Sequence, residues 1–249
     1  AQCNRGYAAN LAVKAADPFV NFSQIHRLIV IVPMHAAPAG CPENNSGTVG
    51  VTGDQTFLTN EGTVRMSVVW MHPLNTYMGS IAHELGHNFG LGHAGLMNCG
   101  TRAPLEGCSG TEYMDYYSVM GGGYSGLASG HFGAEEKQTL GWFNSGNIQT
   151  ITATGTYLLE PYETVSNSLK VLKIPRGFGS HLYVEYRQPI GTDATIGTIF
   201  STDVYSGALI RVETQVVDTS APTEPHTPAL KPGETLLDLQ SGARISTIQ

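Results

Sequence analysis

The chain has 249 residues, of which 41% are hydrophobic and 13% charged, with a formal net charge of −7 and a pI near 5.7. That composition belongs to a packed globular protein with a nearly neutral surface, and it excludes a disordered or coiled-coil chain. Lysines and arginines form no run, so no nucleic-acid partner is expected. The longest strongly apolar run, Leu28 to Val32, falls far short of the roughly 20 residues that a membrane-crossing helix needs, so no membrane partner is expected either.

In chain order, Asn4 to Ala16 places Tyr7, Leu11 and Ala15 at helical spacing before Asp17-Pro18, which predicts a helix. Leu28 to Val32 is apolar without alternation and predicts a strand buried on both faces. Ala36 to Asn60 reads as short strands joined by turns, and Thr63 to Met71 as a further strand. Tyr77 to Phe89 predicts a helix with Met78, Ile81, Ala82 and Leu85 as its apolar face, Asn75 or Thr76 as N-cap and Gly90 as its stop. Gly95 to Gly130 reads as loop, followed by a helix from Ala134 to Leu140. Composition changes near residue 148. Beyond it Thr156–Leu159, Leu169–Ile174, Leu182–Tyr186, Ala208–Val212 and Thr235–Leu239 are short and β-prone, with Pro222 to Pro232 as a longer loop.

Four cysteines, Cys3, Cys41, Cys99 and Cys108, include no CxxC pair and suit two disulfides in an oxidising compartment. Three pairings are open. Cys99 with Cys108 is favoured because both fall in one Gly-rich stretch, which leaves Cys3 with Cys41. The first residues have no signal-peptide pattern, so the chain reads as already processed; the cysteines make it a secreted protein by expectation, and a monomer is expected.

The chemistry is concentrated in His83-Glu84-Leu85-Gly86-His87-Asn88-Phe89-Gly90-Leu91-Gly92-His93. His83 and His87 lie about one helical turn apart and so share a face. Gly90 can adopt a positive φ at little cost and turn the chain back, bringing His93 to the same point. Three neutral imidazoles leave one tetrahedral position of a Zn2+ ion for water, which is the pattern of a catalytic and not a closed structural site. Glu84 is rotated from His83 by about 100° and is the candidate general base for that water. Ser118-Val119-Met120-Gly121 follows, with Met120 27 residues past His93. His72 and His131 read as structural, and Asp54, Glu112 and Asp115 have no calcium-loop spacing.

The extended pattern HExxHxxGxxH is the metzincin signature. Together with Tyr117-Ser118-Val119-Met120-Gly121 and His131-Phe132-Gly133-Ala134-Glu135-Glu136-Lys137, it resembles the gametolysin family of metzincin peptidases; Tyr183 to Arg187 and Leu236 to Asp238 are similar to that family's C-terminal β region. The resemblance implies an α+β fold, and it makes Met120 the candidate for a soft apolar floor beneath the histidines. Residues 1–148 would form a metzincin catalytic domain, with a twisted mixed sheet, the active-site helix and a lower subdomain carrying the methionine turn. Residues 149–249 would form a small all-β, sandwich-like domain. It also implies a zinc endopeptidase acting on extracellular or cell-wall proteins. The chain departs from astacin-like and serralysin-like metzincins at Gly122, where those have a tyrosine able to bind zinc or the oxyanion; Tyr116, Tyr117 and Tyr124 are the tyrosines nearby. The competing reading is a non-catalytic matrix or cell-wall binding protein that keeps the zinc centre as structure.

Overall fold

The computed structural model describes residues 4–32, 45–50, 55–122, 130–196, 202–218 and 228–248. It is a mixed α+β chain, mostly sheet with few helices, and it divides into two compact units, Ala1–Gly92 and His93–Gln249. Among the described residues no helix is long and apolar enough to cross a membrane.

The first unit contains α1 (Arg5–Ala16), β1 (Arg27–Ile31), β2 (Ser46–Gly47), β3 (Gln55–Thr59), β4 (Gly62–Met71) and α2 (Met78–Asn88). The Asn4 side chain caps α1 by accepting from the Tyr7 N–H at 2.9 Å. That helix buries Ala9 and Val13 against Phe22, Val30, Phe57, Met66, Val68 and Trp70. The Trp70 indole satisfies its own N–H on the Arg5 carbonyl at 2.8 Å. β4 is the centre of the sheet: β1 runs parallel to it, and β2 and β3 pair with it antiparallel.

Three expectations are corrected here. β1 is not buried on both faces: Val30 is buried, whereas Ile29 and Ile31 are exposed, because only one side of this strand meets the core. A run of apolar residues states that a strand is apolar without stating that both faces have cover. The buried face of α2 is likewise not the apolar one. Gly79, Ser80, His83, Glu84, Gly86, His87 and Asn88 are buried, while Met78 is 75% exposed. Polar side chains that find partners inside displace the apolar stripe from the interior. Nor do Asn75 or Thr76 cap this helix; its N-cap is Tyr77, which makes no side-chain capping bond.

The second unit contains β5 (Gly95–Asn98), β6 (Thr101–Arg102), β7 (Leu105–Glu106), β8 (Ser109–Glu112), α3 (Ala134–Thr139), β9 (Ile148–Thr150), β10 (Val171–Gly177), β11 (Ser180–Tyr186), β12 (Ala208–Val212), β13 (Gln215–Asp218), β14 (Ala229–Leu230), β15 (Thr235–Asp238) and β16 (Ala243–Ser246). Its main sheet has the order β8-β5-β13-β12-β11-β10-β9, with β14 beside β12. The composition change near residue 148 falls inside this unit, at the start of β9. Leu182, Val184, Ile210, Val212 and Val217 belong to one of its apolar clusters.

The stretch from Gly95 expected as loop therefore holds two strands of the sheet, β5 and β8, joined through the β6–β7 hairpin and tied by the Cys99–Cys108 disulfide. Its glycines mark close approach and not irregularity. A Cβ on Gly95 would come within 2.7 Å of the Thr111 carbonyl oxygen across the ladder. Conversely, Thr156–Leu159 forms no strand, and Leu158 stands 85% exposed. Cys3, Cys41 and residues 222–227 of the expected long loop lie outside the described residues.

Candidate metal centre

Helix α2 is held to its sheet by polar contacts that its sequence supplies. Asn88, fully buried, donates to the Thr48 carbonyl at 2.8 Å and to the Val68 carbonyl at 3.3 Å. Gly47 on β2 lies so close that a Cβ there would meet the Glu84 carbonyl oxygen at 2.5 Å. Only glycine lets strand and helix approach this closely. The helix ends at Gly90, with φ +94°, and the Leu91 N–H returns to the Gly86 carbonyl at 3.0 Å.

This path brings the three expected ligands together. His83, His87 and His93 each offer one ring nitrogen, and these atoms all lie within 4.8 Å of one another. His83 and His87 are buried, with ring centroids 4.8 Å apart. Two of the rings have their tautomer set by a neighbour. The His87 Nδ1 lies 2.9 Å from the Leu91 carbonyl, which can only accept, so Nδ1 carries the proton and Nε2 the lone pair. The His93 Nδ1 lies 2.6 Å from Oε1 of Glu112 and is fixed in the same sense. A carbonyl or carboxylate behind a ligating imidazole is the arrangement that orients the ring and raises its basicity. Three converging imidazole nitrogen donors suit zinc, or another borderline transition ion, better than the hard oxygen-seeking cations.

Glu84 is 8% exposed. Burial pushes its carboxyl up to about 7, against the opposing pull of the Arg5 charge and of the Gly47 backbone N–H. A carboxyl poised there can both take and return a proton near neutral pH.

Met120 is fully buried in a turn that is over-determined by polar contacts. Its N–H donates to the Ser118 Oγ at 3.0 Å, and the Ser118 hydroxyl donates to Oε2 of Glu136 at 2.7 Å. Its carbonyl accepts from Ala94, the residue after His93, at 2.9 Å. Burial pushes Glu136 up to about 7 despite the nearby Arg211 charge. Beneath the turn lies a fully buried ionic network. Arg211 donates through Nη1 to Asp115 and through Nε to Oε1 of Glu185 at 3.0 Å. Arg187 donates to the same Glu185 oxygen at 3.0 Å, to Asp193 at 2.9 Å and to the Tyr117 carbonyl at 3.1 Å. Burial alone would raise Glu185, but the two guanidinium charges outweigh it and hold the carboxyl below its ordinary range. Asp115 in turn accepts from the Tyr117 N–H at 2.9 Å, and its carbonyl accepts from the Gly122 N–H at 2.8 Å.

The remaining candidates have structural work. His72 accepts from the Leu74 N–H as the cap of a short 3-10 turn, Pro73–Asn75. The His131 N–H donates to Asp193 at 2.8 Å, and burial, helped by the Lys137 charge, pushes its imidazole down to about 4. Glu112 serves His93 and Asp115 serves Arg211. The Tyr116 ring fills the space against Gly122, and Tyr117 is packed in the core. Tyr124 and Asp54 lie outside the described residues. Sequence reasoning overlooked the contacts of Glu112 and Tyr113 with His93, which have no local signature: both residues lie about 20 positions downstream, at the end of a strand that reads as loop.

The family model of gametolysin peptidase M11 matches residues 3–210. The chain belongs to the gametolysin peptidase family. It is accordingly a metallopeptidase, a hydrolase acting on peptide bonds, and its substrates are proteins. No curated protein and no solved structure matches the chain.

Proposed function

We propose that this metallopeptidase is a secreted zinc endopeptidase of the metzincin type, with His83, His87 and His93 as zinc ligands and Glu84 as general base. The observation that carries this reading is the convergence of three imidazole nitrogens within 4.8 Å, two of them with Nδ1 engaged from behind. When bound, the ion supplies Lewis acidity to the scissile carbonyl and lowers the pKa of the attacking water. The chain's own residues do the rest. Glu84, held in a desolvated place one residue from His83, takes the water's proton and passes it to the departing amine. The Met120 turn gives the centre a soft apolar support, kept rigid by Ser118, Glu136 and the Asp115–Arg211 pair.

Secretion is supported by the Cys99–Cys108 disulfide, a bond that persists in oxidising compartments. The substrates we propose are extracellular or cell-wall proteins. Family membership and an intact Glu84 set aside the reading as a non-catalytic binding protein. The test is metal removal: a chelator should abolish cleavage of a denatured protein substrate, and added zinc should restore it. Cleavage that continues in metal-stripped protein would overturn the proposal.

A further inference from the structure

Strand β8 has no hydrophobic anchor. Every residue from Glu106 to Tyr113 is exposed, so the strand buries no side chain, and as the edge of its sheet it pairs with β5 alone. Backbone hydrogen bonds that lie open to water, with no burial behind them, are the first to part. What ties the strand to the interior is Cys108, whose sulfur is bonded to that of the fully buried Cys99. The hairpin between the two cysteines is anchored separately. Leu105 packs against the apolar cluster that includes Leu182 and Leu236, and Arg102 pairs with Glu234 at 2.6 Å. Cleaving the disulfide therefore frees Gly107 to Glu112 and leaves the rest of the unit in place.

The other end of the same strand reaches the candidate metal centre. Oε1 of Glu112 lies 2.6 Å from Nδ1 of His93, and Glu112 pairs across the ladder with Gly95, two residues past that histidine. Removing the group that holds a ligating imidazole from behind typically weakens metal binding by about 10- to 100-fold. The disulfide and the support of the third ligand thus sit at opposite ends of one short strand, Ser109–Glu112, which only the disulfide ties to a buried side chain.

We infer that the Cys99–Cys108 bond is a redox control on the metal centre: oxidised, it keeps Glu112 on His93, and reduced, it lets β8 leave, so that zinc is held tightly only in oxidising surroundings. The reductant is a thiol couple. A thiolate attacks the sulfur of Cys108, on the exposed strand; the S–S bond breaks, and Cys99 departs as a thiolate that takes up a proton. A second thiol resolves the mixed disulfide, so two electrons leave both cysteines as thiols and the reductant as its disulfide. The inference rests on the zinc-peptidase reading above and adds the condition under which the peptidase keeps its ion.

The test compares oxidised wild type, wild type reduced with a phosphine, and Cys99→Ala/Cys108→Ala, which has no thiol of its own to bind the ion. Zinc affinity is read by competition with a chromophoric chelator, and opening of the strand by amide hydrogen exchange. Affinity should fall about tenfold on reduction and in the double variant, and re-oxidation of the wild type should restore it. Exchange should quicken at residues 107–112 and stay slow in β10, β11 and β12. In Glu112→Gln the affinity should already be low in the oxidised protein, and reduction should lower it no further. Unaltered affinity in the reduced protein and the double variant, an equal further loss in reduced Glu112→Gln, or fast exchange throughout β10 to β12, which would make the bond a general staple, each overturns the inference while leaving the zinc-peptidase reading intact. Oxidised wild type that binds no zinc removes both.

Discussion

Glu84→Gln is expected to retain its zinc and to lose about 10²- to 10⁴-fold in kcat, the range that positioned proton transfer supplies. The substitution is nearly isosteric. The amide oxygen can still accept from the Gly47 N–H, so the close approach of β2 to α2 survives, and none of the three histidines is touched. The variant also removes a carboxyl whose burial opposes its charged form, so its thermal stability should not fall. Metal content, unfolding midpoint and kcat measured on one preparation separate the cases. A variant that loses its metal would show Glu84 to be structural, and one that keeps full activity would show that the base lies elsewhere.

The largest stability effect is expected at Arg211→Leu, which leaves buried Asp115 without its guanidinium and buried Glu185 with that of Arg187 alone. Breaking a buried pair by removing one partner costs about 3–5 kcal/mol, well above the yield of an exposed ion pair. The figure applies here because every partner, Arg211, Asp115, Glu185, Arg187 and Asp193, is fully buried. The loss should be readable as a lowered denaturant midpoint at unchanged slope. Arg211→Lys, which keeps the charge but cannot reach both carboxylates with a planar fork, should fall between the two. A loss for Arg211→Leu of less than about 1 kcal/mol, no more than an exposed pair gives, would mean that the network does not hold the methionine turn.

What could be read from sequence was what local spacing encodes. His83 and His87 share a face because of helical periodicity, and Gly90 announces its turn by being glycine; the structure places His93 within reach of both. The β-prone segments Leu169–Ile174, Leu182–Tyr186 and Ala208–Val212 supply strands β10, β11 and β12 of one sheet, the first from Val171 on, since burial and propensity agree there. Elements set by tertiary context were not legible. β5 and β8 carry glycines where neighbouring strands come close, so their pattern imitates a loop. The exposed faces of β1 and the polar buried face of α2 depend on what lies against them, which no single-strand or single-helix pattern states. Arg187 and Arg211 sit in ordinary β sequence 70 and 96 residues from their partners Tyr117 and Asp115, and nothing near them in the chain marks them as the charges beneath the turn.

X-ray absorption at the zinc edge of the zinc-loaded protein addresses the donor set itself. Three imidazole nitrogens at about 2.0–2.1 Å with a light oxygen neighbour, and no sulfur, are the expected result. Sulfur scattering, or an ion held by fewer than three imidazoles in protein that still cleaves peptides, would contradict the centre described for His83, His87 and His93.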